Sequence, residues 1–134
     1  MVIKTSFNHL QLYVSNKKIS FPFYKSLLTY LGYRIVEDNN KSLGMRNNPT
    51  DIWIKEVPIE NKNKEFSRRN IGINHLAFGV SKKADVDKFC KEFLIPKKIQ
   101  TLYKSPRAFP EYTKDYYAVY FEDPDGLKLE VVFL

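Results

Sequence analysis

Cysteine is almost absent: Cys90 stands alone in the chain, which excludes an intramolecular disulfide and any cysteine-based zinc site. Histidine is nearly as scarce, with only His9 and His75. Apolar residues come in short runs, none near the ~18–20 residues of a membrane span. The opening residues, Met1-Val2-Ile3-Lys4-Thr5-Ser6, contain no apolar stretch ending in a small-residue cleavage site, so a cytoplasmic protein without a secretory signal is expected. What is plentiful is apolar and aromatic material, 43% and 15% of 134 residues. That excludes a disordered chain and suffices for the core of one domain.

Lysine and arginine outnumber aspartate and glutamate by 22 to 15, a net charge of +7. Such a balance suits an anionic partner, but the charge is scattered. The one dense run, Asn61-Lys62-Asn63-Lys64-Glu65-Phe66-Ser67-Arg68-Arg69, reads as a solvated connector and lacks the interleaved aromatics of a single-strand binding surface. No nucleic-acid or membrane partner is expected. The charge favours a small anionic substrate.

An internal repeat is the most informative feature. Residues 7–16, FNHLQLYVSN, and 73–82, INHLAFGVSK, share Asn-His-Leu at an offset of 66. The same offset aligns Phe23-Tyr24-Lys25 with Phe89-Cys90-Lys91 and Leu28 with Leu94. Two modules therefore span about 5–60 and 71–134, joined by 61–70. In the first, 7–14 alternates as a strand. A helix is expected over about 19–31, with Ile19, Phe23, Leu27 and Leu31 as its apolar stripe, Pro22 in its first turn and Gly32 as its stop. Strands follow near 33–37, 42–46 and 51–57. The second module repeats this with a strand at 73–80, a helix at about 83–94, and strands near 98–103, 115–122 and 127–133. The turn Asp123-Pro124-Asp125-Gly126 joins the last two, and 104–114 reads as a loop. The class is α+β: two βαβββ modules, each too small at about 60 residues to bury much alone, paired into one curved sheet with helices outside.

Alternation assigns faces. Leu10, Leu12 and Val14 should pack on the first helix, leaving Phe7, His9, Gln11 and Tyr13 on the opposite face. Leu76, Phe78 and Val80 are helix-side and His75 is not. Leu127, Leu129, Val131 and Phe133 are helix-side, and Lys128, Glu130 and Val132 are not. Val119 and Phe121 are helix-side, with Tyr116, Ala118 and Tyr120 opposite. His9, His75 and Glu130 thus each face away from their own helix, and a curled sheet would let them converge. A carboxylate there is costly unless paired or bound to a cation. Two neutral imidazoles and one carboxylate form a common divalent-metal set with positions left for water and substrate. Hydrogen-bonded structural roles for the histidines stand beside this reading.

Four segments carry a family resemblance: Phe7-Asn8-His9-Leu10, Phe23-Tyr24-Lys25-Ser26-Leu27-Leu28, Ile73-Asn74-His75-Leu76-Ala77-Phe78, and Tyr120-Phe121-Glu122-Asp123-Pro124-Asp125-Gly126-Leu127-Lys128-Leu129-Glu130. They resemble the vicinal oxygen chelate superfamily of glyoxalase I, extradiol dioxygenases, fosfomycin-resistance thiol transferases and bleomycin-binding proteins. The resemblance implies an open, cup-shaped barrel of paired modules. In the cup, a divalent metal (Mn, Fe, Ni or Zn) is held by His9, His75 and Glu130 and chelates two substrate oxygens. It also implies a homodimer, since such cups are often completed across a subunit interface.

Glyoxalase I enzymes usually carry a further glutamate in the first module. Aligning Ile52-Trp53-Ile54-Lys55 with Leu127-Lys128-Leu129-Glu130 puts Lys55 there, with Glu56 on the helix side. Extradiol dioxygenases usually add another histidine, which is absent. The fosfomycin enzymes place an arginine beyond the final glutamate, and the residues after Glu130 have none. The expected activity is therefore glyoxalase-like metal-dependent catalysis, of lyase or isomerase type, on a small oxygen-rich anion. The alternatives are sequestration of an antibiotic or toxin without chemistry, and thiol transfer or extradiol cleavage. Lys55 and Tyr120 are the catalytic candidates, as anion holder or base and as hydroxyl donor. Trp53, Gln11, Tyr13, Tyr116 and Arg107 are candidates for substrate contact, Arg107 from the 104–114 loop. Lys55 at a strand rim, Trp53 in ordinary packing and Tyr116 with its hydroxyl in water are the plainer readings. Cys90 reads as a small buried hydrophobe.

Overall fold

The computed structural model describes every residue, Met1–Leu134, and shows the repeated βαβββ order. The chain divides into two compact units, Met1–Lys64 and Glu65–Leu134, with the boundary inside the predicted connector. No helix is long and apolar enough to cross a membrane.

The first unit contains β1 (His9–Val14), α1 (Lys17–Tyr30), β2 (Arg34–Asp38), β3 (Leu43–Asn47) and β4 (Thr50–Glu56). Its sheet runs β1-β4-β3-β2, with β1 parallel to β4 and the other pairs antiparallel. Leu12, Val14, Ile52 and Ile54 are buried, as the alternation predicts for the helix side. The helix starts two residues earlier than periodicity suggests, because Asn16 caps it by accepting the Lys18 N–H at 3.0 Å. Pro22 consequently falls in the second turn, where it removes the bond that would reach the Lys18 carbonyl. The buried stripe is Phe21, Tyr24, Leu27 and Leu28, while Ile19 stays exposed. Gly32 ends the helix at φ +89°, as expected.

Glu56 faces the helix side. Its carboxylate accepts the Lys17 N–H at 3.0 Å and pairs with Lys62 at 3.1 Å. The Lys17 N–H first, and Lys62 second, hold it below the usual carboxylate range. A depressed folded-state pKa adds stability above the unfolded value that is lost as pH falls through the folded one. Glu56→Gln should therefore be less stable than wild type at pH 7, and the gap should close below about pH 4. Urea melts at both pH values check this, and a constant gap would refute it.

The second unit contains β5 (His75–Gly79), α2 (Lys83–Phe89), β6 (Thr101–Ala108), β7 (Tyr117–Glu122) and β8 (Lys128–Phe133). Its order, β5-β8-β7-β6, copies the first. The predicted helix over 83–94 is a short α-segment continued by a π-helical turn at Cys90–Leu94. Phe89 stacks on Phe93 at 5.2 Å and meets Phe121 at 5.4 Å, joining helix to sheet. Cys90 is buried, and burial first, with Asp87 adding to it, pushes its thiol up to about 11. It is inert packing, as expected.

β6 runs well into the segment read as a loop. Its ladder pairs Leu102 with Tyr120, then skips to Arg107 with Ala118. Residues 103–106 bulge out between these pairs. Ser105 fills the gap: its hydroxyl accepts the Tyr120 N–H at 2.9 Å and donates to the Leu102 carbonyl at 2.6 Å. Proline in a strand pattern reads as a breaker, and here it sits in a bulge instead. Beyond the bulge, Phe109 packs with Ala118, Tyr120 and Val132 over the face away from α2.

Candidate functional site

In the second unit, strand register sets two rows on the face away from α2. One is His75–Lys128–Glu122 and the other Ala77–Glu130–Tyr120–Leu102. The turn before β8 fixes their level. Asp123 accepts the N–H groups of Asp125 and Leu127 at 2.9 and 2.8 Å, and Gly126 takes φ +86°.

Asn74 orients the histidine. Its amide nitrogen donates to the Arg68 carbonyl at 3.1 Å, which turns its oxygen toward His75 Nδ1 at 2.8 Å. An amide oxygen only accepts, so Nδ1 carries a proton, and in the neutral imidazole Nε2 keeps its lone pair. That Nε2 lies 3.3 Å from Glu130 Oε2. Glu130 is 0% exposed, and Oε2 has no hydrogen-bond partner. The other oxygen, Oε1, accepts a hydrogen bond from the Tyr116 hydroxyl. Two lone pairs facing each other in a dry site repel unless a proton or a cation lies between them. The pair therefore fits a divalent metal: one imidazole nitrogen and one carboxylate oxygen, each oriented from behind.

The tyrosines complete the wall. Tyr116, whose hydroxyl the sequence leaves free to face water, is instead turned to Glu130, and its oxygen lies 3.3 Å from that of Tyr120. Burial, and then the bond to Glu130, push the Tyr116 hydroxyl up. Burial and then Tyr116 push Tyr120 far above the phenol range. Both stay protonated at ordinary pH and act as hydrogen-bond donors, not bases.

The first unit repeats the histidine: His9 Nδ1 lies 2.7 Å from Asn8 Oδ1. Its rows are His9–Asp51–Arg46–Arg34 and Gln11–Trp53–Gly44–Glu37. Asp51, absent from the sequence reading, is level with His9. Arg46 forks both its oxygens at 2.8 and 2.7 Å, and that bond holds its carboxyl below the usual range. Strand alternation from Trp53 was the signal that would have found it.

Register also corrects the position given to Lys55. Glu130 pairs with Ala77, two residues beyond His75. The residue two beyond His9 is Gln11, which pairs with Trp53. Trp53, not Lys55, is the repeat counterpart of Glu130. Lys55 pairs with Tyr13, one step further along the same face, and both are exposed there with Gln11. On the neighbouring strand, the Tyr120–Glu130 pair corresponds to Gly44–Trp53. Gly44 leaves room for the indole, since a Cβ there would lie 2.6 Å from it. Arg107 is in β6, not a loop. Its guanidinium stacks on Phe109 at 3.8 Å and donates to the carbonyls of Tyr103 and Ala108 at 3.1 and 2.8 Å. Within either unit no third His, Cys, Asp or Glu joins a metal-ready cluster; His75 and Glu130 meet in the second, and His9 belongs to the first.

The repeated βαβββ modules have the fold of the glyoxalase/bleomycin resistance/dioxygenase proteins, and the chain belongs to this vicinal oxygen chelate superfamily. A Bacillus halodurans protein provisionally called a glyoxalase has the same fold, with a TM-score of 0.86, 26% identity and coverage of 96% of this chain and 95% of that one. A glyoxalase/bleomycin resistance protein from Albidiferax ferrireducens T118 superposes with a TM-score of 0.70 at 24% identity, covering 96% and 98%. In sequence, the chain is 30% identical over 125 residues to the uncharacterised protein YqjT of Bacillus subtilis (strain 168), covering 93% of this chain and 96% of that one. It belongs to the same family as that protein. No family model matches the sequence.

Proposed function

We propose that the protein is a glyoxalase-like, metal-dependent enzyme of lyase or isomerase type, acting on a small, oxygen-rich, anionic substrate. One observation carries this reading: a fully buried carboxylate oxygen with no donor, 3.3 Å from an imidazole nitrogen whose proton is committed elsewhere. His75 and Glu130 would hold the ion, one of Mn, Fe, Ni or Zn. When bound, it supplies Lewis-acid stabilisation of negative charge on a substrate oxygen.

The protein's own groups do the rest. Asn74 fixes the tautomer of His75, and Tyr116 steers Glu130 so that Oε2 stays free. Tyr120, kept protonated by burial, offers a hydrogen bond to developing charge on the same face. Trp53 replaces the first module's acid with an aromatic wall, so proton abstraction by a glutamate at that position is not part of the proposal. Its presence also favours a second reading, capture of a small molecule without chemistry.

Elemental analysis separates the two. Wild type purified without added metal should carry close to stoichiometric metal, which His75→Ala loses. Asn74→Ala should weaken metal affinity about tenfold by freeing the imidazole to turn. Wild type that takes up none of the four ions on incubation would overturn the enzyme reading in favour of capture.

A further inference from the structure

We propose that Lys128 and Tyr103 form a subsite for an oxyanionic group of the substrate, a carboxylate or phosphate, beside the His75–Glu130 pair. The proposal deepens the function proposed above and rests on it for the substrate's other contacts.

Lys128 is the register partner of His75, so the two side chains share a face as neighbours. None of the chain's ion pairs involves it. Its other strand partner, Glu122, is bound instead by Arg68. The ammonium lies over two aromatic rings, 5.3 Å from the centre of Tyr103 and 5.5 Å from that of Tyr120. It is 3.4 Å from the Tyr103 hydroxyl. An ammonium has three donors and no acceptor. One turns to that hydroxyl, leaving the others and the phenol's own proton for a ligand.

The bulge in β6 delivers Tyr103 to this place. Tyr103 and Lys104 take φ +58° and +54°, a region non-glycine residues avoid. Two bonds fix the backbone in it: the Arg107 Nε–H to the Tyr103 carbonyl, and the Ser105 bridge to β7. The result is a ring set edge-on to Tyr120 at 5.4 Å, yet 47% exposed. Strain held in place beside a candidate centre, with an unmatched cation at its tip, is the signature of a positioned binding group. A charge-assisted bond to an oxyanion is the strongest interaction these donors can make.

Inorganic phosphate is the probe. It is titrated at constant ionic strength into the intact protein, metal-free and metal-loaded, while amide shifts of β8 and of 103–106 are followed by NMR. Wild type should bind saturably. Lys128→Met should weaken binding at least about tenfold and Tyr103→Phe about threefold. Lys128→Arg should retain it, and Lys18→Met, at an exposed position of α1, should not change it. Wild-type affinity in Lys128→Met, or no saturable shift in wild type, overturns the subsite. Metal uptake by the same samples keeps the two proposals apart. Lys128→Met should load metal as wild type does. Phosphate binding through Lys128 in a protein that takes no metal would sink the metal centre alone.

Discussion

Glutamine at position 130 is expected to lower metal affinity at least about 100-fold while making the metal-free protein more stable. The opposing signs follow from one geometry. The wild-type carboxylate is fully buried, with one oxygen bonded by Tyr116 and the other bare. A buried charge without full compensation costs several kcal/mol, and removing it commonly returns roughly 1–3 kcal/mol. Glutamine keeps an acceptor for Tyr116 and can turn its amide toward the lone pair of His75 Nε2, so no polar group is orphaned. Calorimetry after chelator treatment should show the Glu130→Gln midpoint about 3–10 °C above wild type. The reverse sign would identify His75 as an imidazolium and the pair as a structural salt bridge. That outcome would withdraw the metal centre whatever the assay of activity says.

The repeat made the architecture legible. Recurrence of Asn-His-Leu located both opening strands, and alternation assigned Leu12, Val14, Phe121 and Leu129 to the buried side, where they lie. What alternation cannot resolve is a shift of two residues, because it leaves every side chain on the same face. The turn between β3 and β4 is shorter than the Asp123–Gly126 turn between β7 and β8. Matching 52–55 to 127–130 is two residues out of register, and it puts Lys55 in the place that hydrogen-bonded register gives to Trp53. The bulge at 103–106 was hidden for a related reason: Ser105 supplies a ladder bond from its side chain, which no backbone pattern encodes. The start of α1 was missed because a cap, and not an apolar residue, defines it. The roles of Asn74 and Tyr116 depend on which way a polar group points, and that is a property of the packed structure.

Gly44→Ala is expected to destabilise the protein by about 1–3 kcal/mol and to shift its tryptophan emission to the red. The backbone at 44 is not the obstacle, since no positive φ is required there. The obstacle is the indole of Trp53, three of whose ring carbons lie 2.6–2.8 Å from where the new methyl would stand. β3 and β4 are paired at these two residues, so the strands cannot part without losing their ladder. The ring must swing outward instead, giving up its contact with the sheet and exposing itself to water. Trp53 is the chain's single tryptophan, so the fluorescence change reports this one side chain. Trp53→Leu in the Gly44→Ala background should recover most of the lost stability, as expected when two residues in contact are coupled. If the emission stays unchanged while stability falls, the methyl has been accommodated by moving β3, and the indole is anchored by something other than the glycine. If both changes appear and small-molecule capture also weakens, Trp53 is a wall of the binding face. The glycine opposite it is then the first module's counterpart to Tyr120, a position emptied so that an aromatic ring can stand where the second module keeps its acid.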